Sequence, residues 1–173
     1  PLWSRGLGDV YKRQQQSCAK SLIVNQIVQS NDDGAQRSNN NVYLNNSTIP
    51  LSSSYPLGAF LFRKVALDTK TINNLEIEDA YIEFTSANGS SGNTQFKIYA
   101  ENTTNAQPLS NVKNSFSSKT KTNSTVLWNI TSNFVTDGVY RTPNLTSILT
   151  EIMSKSGWVK NNNITFLLER TSG

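Results

Sequence analysis

Histidine is absent from this 173-residue sequence, and cysteine occurs once, as Cys18. Most nucleophile–base pairs therefore cannot be built, and Ser–Lys arrangements are what is left. A single cysteine likewise excludes an intrachain disulfide and a cysteine metal cluster. Paired carboxylates for glycoside hydrolysis remain as a catalytic option, with Glu78, Asp79, Glu83 and Glu101 as candidates. These acids fall mostly on outward strand positions, where a solvated face is their role. The chain reads as no enzyme. Calcium needs about six or more oxygen ligands, several of them carboxylates. Asp32 and Asp33 could supply two, and Asp137 is an isolated turn acid before Gly138. Ordinary Asx turns account for all three, so no cofactor is expected, and calcium at Asp32 and Asp33 is the metal alternative. Aromatic side chains decide the third chemistry, because a pyranose ring stacks on an exposed flat surface. Tyr81 and Tyr99 lie on the outward phase of neighbouring strands and could form a cross-strand pair, while Tyr55 and Tyr140 lie in loops. A sugar platform is expected first at these four tyrosines. Trp128 is in phase with Val126 and Ile130, and Trp158 directly follows Gly157, so both are expected in the core.

The elements that position these residues are mainly strands. Ala80, Ile82 and Phe84 alternate with Tyr81, Glu83 and Thr85 across Ile77–Thr85, the two-residue period of a half-buried strand. The turn cluster from Asn88 to Asn93 then predicts an antiparallel hairpin with the run Thr94–Glu101. In that run Phe96, Ile98 and Ala100 face inward, and Lys97, Tyr99 and Glu101 face outward. Further strands are expected at Val42–Leu44, at Gly58–Val65, through Val126, Trp128 and Ile130, and at Asn163–Glu169. Ser30 to Asn41 is polar and reads as loop around a turn at Asp32-Asp33-Gly34. The stretch from Asn102 to Asn123 has no periodicity and also reads as loop. Only one segment has helical spacing, through Leu145, Ile148, Leu149, Ile152 and Met153. Thr142 is its expected N-cap, Pro143 its first position and Gly157 its left-handed stop, giving about three turns. With no βαβ alternation, the fold class is all-β: an antiparallel β-sandwich, jelly-roll-like, with one amphipathic helix near the C-terminus.

Asn, Ser and Thr dominate the composition, charged residues make up 16%, and the formal charge is +4. Residues 1–14 carry part of that charge, and Asp9-Val10-Tyr11-Lys12-Arg13-Gln14 resembles a translated frame of a sequencing-library adapter. Without that segment 13 basic and 11 acidic residues remain, a net of +2. They are scattered, so no nucleic-acid footprint is expected. No apolar run of about twenty residues exists to span a membrane as a helix. Residues 15–30 form a short lead without an assigned element, and 31–173 are read as a single module.

Four stretches resemble a recurrent β-sandwich module of multimodular secreted bacterial proteins, of the carbohydrate-binding-module-like and DNRLRE type. They are Phe62-Arg63-Lys64-Val65-Ala66-Leu67, Ala80-Tyr81-Ile82-Glu83-Phe84-Thr85, and Lys119-Thr120 with Thr125-Val126-Leu127-Trp128. The fourth is Thr142-Pro143-Asn144-Leu145 with Ile148, Glu151-Ile152 and Gly157-Trp158, which matches in identity and spacing over seventeen positions. Asn144 stands where that pattern has Asp, and the acidic pair at Asp32-Asp33 lacks the further acids common in such modules. The resemblance implies a secreted or cell-surface setting and a closing strand beyond Gly173. It also implies a non-catalytic role, binding a polysaccharide or cell-surface glycan beside neighbouring domains of the same parent chain. The alternative is a structural or adhesive spacer in a surface protein.

Overall fold

In a computed structural model, residues 21–68, 77–90 and 93–172 are described. The adapter-like residues 1–14 and Cys18 lie outside them. Among the described residues eight strands and one helix follow in chain order: β1 (Asp33–Gln36), β2 (Val42–Leu44), β3 (Leu57–Phe62), β4 (Glu83–Thr85), β5 (Thr94–Ala100), β6 (Val126–Ile130), β7 (Val139–Arg141), α1 (Thr146–Met153) and β8 (Ile164–Ser172). Six strands form one antiparallel sheet in the order β2-β1-β3-β8-β5-β6, and β4 pairs with β7 in a second, two-stranded sheet. Neither sheet closes on itself. The mostly-strand composition expected from the sequence is what the chain adopts.

The expected hairpin between the Ile77–Thr85 run and the Thr94–Glu101 run does not form. β5 is flanked by β6 on one edge and β8 on the other, so both of its hydrogen-bonding edges are taken. β4 shortens to three residues and pairs with β7 instead, with Glu83 opposite Arg141 and Phe84 opposite Tyr140. The side chains nevertheless keep the expected phase, with Ile82 and Phe84 inward and Tyr81, Glu83 and Thr85 outward. Phe84 points into the main core, 5.1 Å edge-on to Phe60 and 5.9 Å in a stacked contact with Trp128. These contacts lay the small sheet over one face of the large one. Both tryptophans are buried as expected, and the Trp158 indole N–H donates to the Leu67 carbonyl at 3.1 Å.

The helix is shorter than its apolar spacing implies. Thr142 does not cap it, because its hydroxyl accepts the Ile82 N–H and donates to the Pro143 carbonyl. The N-cap position is Leu145, which has no side-chain cap, and just before it Asn144 Oδ1 accepts the Thr146 N–H at 2.8 Å, so the helix begins after Pro143 rather than on it. The C-cap is Ser154, in right-handed geometry, and Gly157 does not serve as a left-handed stop. Ile148, Ile152 and Met153 bury against the same core as the small sheet. Glu151 ties the helix to the approach of β6 by accepting the N–H groups of Asn123 and Ser124. Burial pushes the Glu151 carboxyl up, but those N–H donors outweigh it and hold the group below its ordinary value.

Two segments read as loop are structural. The Asp33-Gly34-Ala35-Gln36 run is β1, lodged between β2 and β3. Its sequence carries no β-branched apolar residue, and the neighbouring strands impose the conformation. Residues 102–122 contain no named strand or helix, yet Ala106, Leu109 and Phe116 are buried in a second apolar cluster with Leu61 and Leu167. That cluster lies on the opposite face of the large sheet from the helix, since Leu61 and Leu167 alternate with Phe60 and Phe166 of the main core. Asparagine has a specific use in the connections. Of seven non-glycine residues with left-handed φ among the described residues, five are Asn and one is Asp, the types that tolerate that region best.

Gly34 marks the tightest approach in the sheet. An added Cβ would sit 2.6 Å from both the Tyr43 carbonyl oxygen and a Leu44 methyl, with the Phe116 ring at 3.2 Å. Because the first of these is backbone, it cannot swing aside. Gly34→Ala is expected to cost about 1–3 kcal/mol, measured by urea denaturation.

Candidate functional site

The four candidate tyrosines are not brought together. Tyr55 lies in the loop before β3, half-buried, with Tyr43 edge-on at 5.8 Å and the Arg37 guanidinium 5.7 Å above its ring. Tyr140 is on β7 rather than in a loop and points inward, stacked 3.6 Å from Phe134. Its hydroxyl accepts the Val135 N–H, closing the turn that leads into β7. Tyr99 and Tyr81 cannot form a cross-strand pair, because Tyr99 is on β5 of the large sheet and Tyr81 precedes β4 of the small one, across the main core.

Tyr99 is half-buried where the 102–122 segment meets the large sheet. Its hydroxyl donates to Glu169 Oε2 at 2.9 Å, and Lys121 donates to the same oxygen at 2.8 Å. Lys121 Nζ stands 4.6 Å and Lys97 Nζ 5.3 Å from the ring centroid. Burial first, then the hydrogen bond to Glu169, pushes the phenol up to about 12. Tyr99 is thus a neutral donor at any physiological pH. Its ring is flanked by two ammonium groups.

Tyr81 is the exposed ring. It is 41% accessible, whereas the other described tyrosines are half-buried. The alternation that buries Ile82 and Phe84 turns Tyr81, Glu83 and Thr85 outward, and on β7 it turns Val139 and Arg141 outward beside them. The register sets Arg141 directly opposite Glu83, and Arg141 Nε donates to Glu83 Oε2 at 2.8 Å. The guanidinium also lies 4.4 Å from the Tyr81 ring centroid. The Glu83 hydrogen bond, followed by the charges around it, raises the Arg141 pKa above its ordinary value. The result is a shallow face with one aromatic plane, one five-donor cation and one carboxylate, with Val139 beside them. Sequence reasoning found Tyr81 but not Arg141. A three-residue strand is too short to show its own alternation, and only the pairing with β4 reveals the partnership.

Asp32 and Asp33 separate. Asp32 is 1% exposed, and its carboxylate takes the Arg63 Nε at 2.7 and 2.9 Å and Nη2 at 2.7 Å. A calcium ion there would have to displace the guanidinium. Asp33 is half-buried, and its carboxyl is pushed up by burial and then by the neighbouring Asp32 charge. Among the described residues no three His, Cys, Asp or Glu side chains gather in a metal-holding group. Glu78, Asp79 and Glu83 remain on or near the small sheet, and Glu101 pairs with Lys119 at 2.8 Å on the far side of the large sheet. Among the described residues no helix is long and apolar enough to cross a membrane. No family model, no curated protein and no solved structure matches this chain.

Proposed function

We propose that the chain is a non-catalytic binding module of a secreted or cell-surface protein, with a β-sandwich architecture of jelly-roll type and a glycan as ligand. The observation that carries the reading is the outward face of the small sheet, where Tyr81 is the exposed tyrosine among the described residues and Arg141 and Glu83 stand beside it. A pyranose ring laid on Tyr81 would bury apolar C–H surface on the aromatic plane. Its hydroxyls could accept from Arg141 and donate to Glu83, exchanging part of an exposed ion pair that contributes little by itself. Carboxylates paired with cations and turned to solvent also suit recognition better than acid–base chemistry.

An array of neutral and charged oligosaccharides tests this. The parent protein is expected to retain at least one class, and Tyr81→Ala to weaken that binding by roughly tenfold or more, the loss from one buried aromatic contact. An unchanged affinity in Tyr81→Ala would remove this face from consideration. Retention of no glycan at all would favour the spacer role instead.

A further inference from the structure

The large sheet carries a second open face, on the side away from the helix and the small sheet, and its chemistry differs. Lys97 and Tyr99 alternate with the core residues Phe96 and Ile98 on β5, while Leu127 and Asn129 flank Trp128 on β6. The 102–122 segment covers only part of this side. Beyond its edge, Gln95 Nε2 donates to Asn129 Oδ1 at 2.7 Å and the Thr171 hydroxyl donates to Gln95 Oε1 at 2.7 Å, a polar row across β6, β5 and β8. Next to that row Lys97 and Lys121 converge on Tyr99, with Glu169 as the carboxylate between them. Lys121 forms the ion pair with Glu169, and among the described residues Lys97 has no carboxylate within ion-pair distance. Two cations thus share one anion on a surface whose other groups include the Gln95 and Asn129 amides, the Thr171 hydroxyl and the exposed Leu127 side chain.

We infer that this face binds an anionic polysaccharide, its carboxylate or sulfate held by Lys97 and by the Lys121 donors that Glu169 leaves free, and its hydroxyls along the Gln95–Asn129–Thr171 row. Three strands spaced about 4.8 Å apart offer a platform of about 10 Å, the width of one or two sugar rings. The site does not depend on Tyr81, which lies on the opposite side of the main core.

Isothermal titration at low salt with oligogalacturonate, dextran sulfate and neutral dextran reads it directly. The expected result is binding to one or both anionic polymers and none to the neutral one, and the stronger of the two anionic arms identifies the anion. Lys97→Gln combined with Lys121→Gln should weaken binding roughly tenfold or more, the loss of charge-assisted hydrogen bonds. Lys97→Gln alone should give a smaller loss in the same direction, and it breaks no ion pair of the fold. Lys113→Gln with Lys160→Gln removes the same charge from two exposed positions elsewhere and is expected to change affinity by less than about twofold. An equal loss in the charge-matched control, or no binding to either anionic polymer, would overturn the inference.

Discussion

Replacing Arg63 with methionine is expected to lower unfolding stability by about 3–5 kcal/mol, because it leaves a buried carboxylate without its counter-ion. Asp32 directly precedes β1 and Arg63 directly follows β3, and those strands are paired through Asp33 and Phe60. The Asp32 carbonyl also accepts the Leu61 N–H at 2.7 Å, so backbone and side chain are locked at the same point. Asp32 is 1% exposed, and water cannot replace the three guanidinium contacts. Lysine should be intermediate, since an ammonium cannot reproduce the fork that meets both carboxylate oxygens. Adding Asp32→Asn to Arg63→Met removes the stranded charge and should recover a large share of the loss. Urea denaturation of the four proteins decides the matter. A loss under about 1 kcal/mol for Arg63→Met would mean that the pair is solvated in solution and does not hold the strands together.

That ion pair also shows what the sequence could and could not reveal. Alternation marks a strand wherever one face is buried, so β5, β6 and the inward phase of β4 were legible from Phe96, Trp128 and Phe84, while β8, buried on both faces, was legible from the apolar run Ile164, Phe166, Leu167 and Leu168. Alternation reports which face is buried and says nothing about which strand lies alongside. Hence the hairpin expected across the Asn88–Asn93 turn was wrong, and the union of β4 with β7, which creates the Tyr81–Arg141–Glu83 face, was invisible. Asp32 read as a turn acid because its partner lies 31 residues away, a distance at which no local pattern survives. Tyr99 read correctly as pointing away from the main core. Its partial burial comes from Lys121 and from the second apolar cluster, and both depend on the course of a segment with no period of its own.

That segment yields the other large effect. Phe116→Ala is expected to cost about 3–5 kcal/mol, as deletion of a fully buried aromatic side chain does elsewhere. Phe116 is wholly buried in the second cluster, and its ring lies close enough to Gly34 to limit what β1 can carry there. Its backbone is held as firmly. Gln36 Oε1 accepts the N–H groups of Phe116 and Ser117, and Gln36 Nε2 donates to the Ser117 hydroxyl at 2.9 Å. At the other end Ala106 and Asn163 exchange two hydrogen bonds, and the Thr122 N–H returns to the Ala100 carbonyl. A connection pinned at both ends and in the middle is a cap on the sheet, and removing its anchor should exact a core-like penalty. Val112, in the same segment but exposed, sets the comparison: Val112→Ala should fall within about 0.5 kcal/mol of the parent. Thermal or urea unfolding of both variants separates the cases, and near-neutral values for both would show that the segment is an ordinary surface loop. Lys119 and Lys121 ride on the same stretch and form ion pairs with Glu101 and Glu169. Loss of the anchor should therefore also loosen the cation beside Tyr99, linking the packing of one ring under the sheet to the charge displayed on its open end.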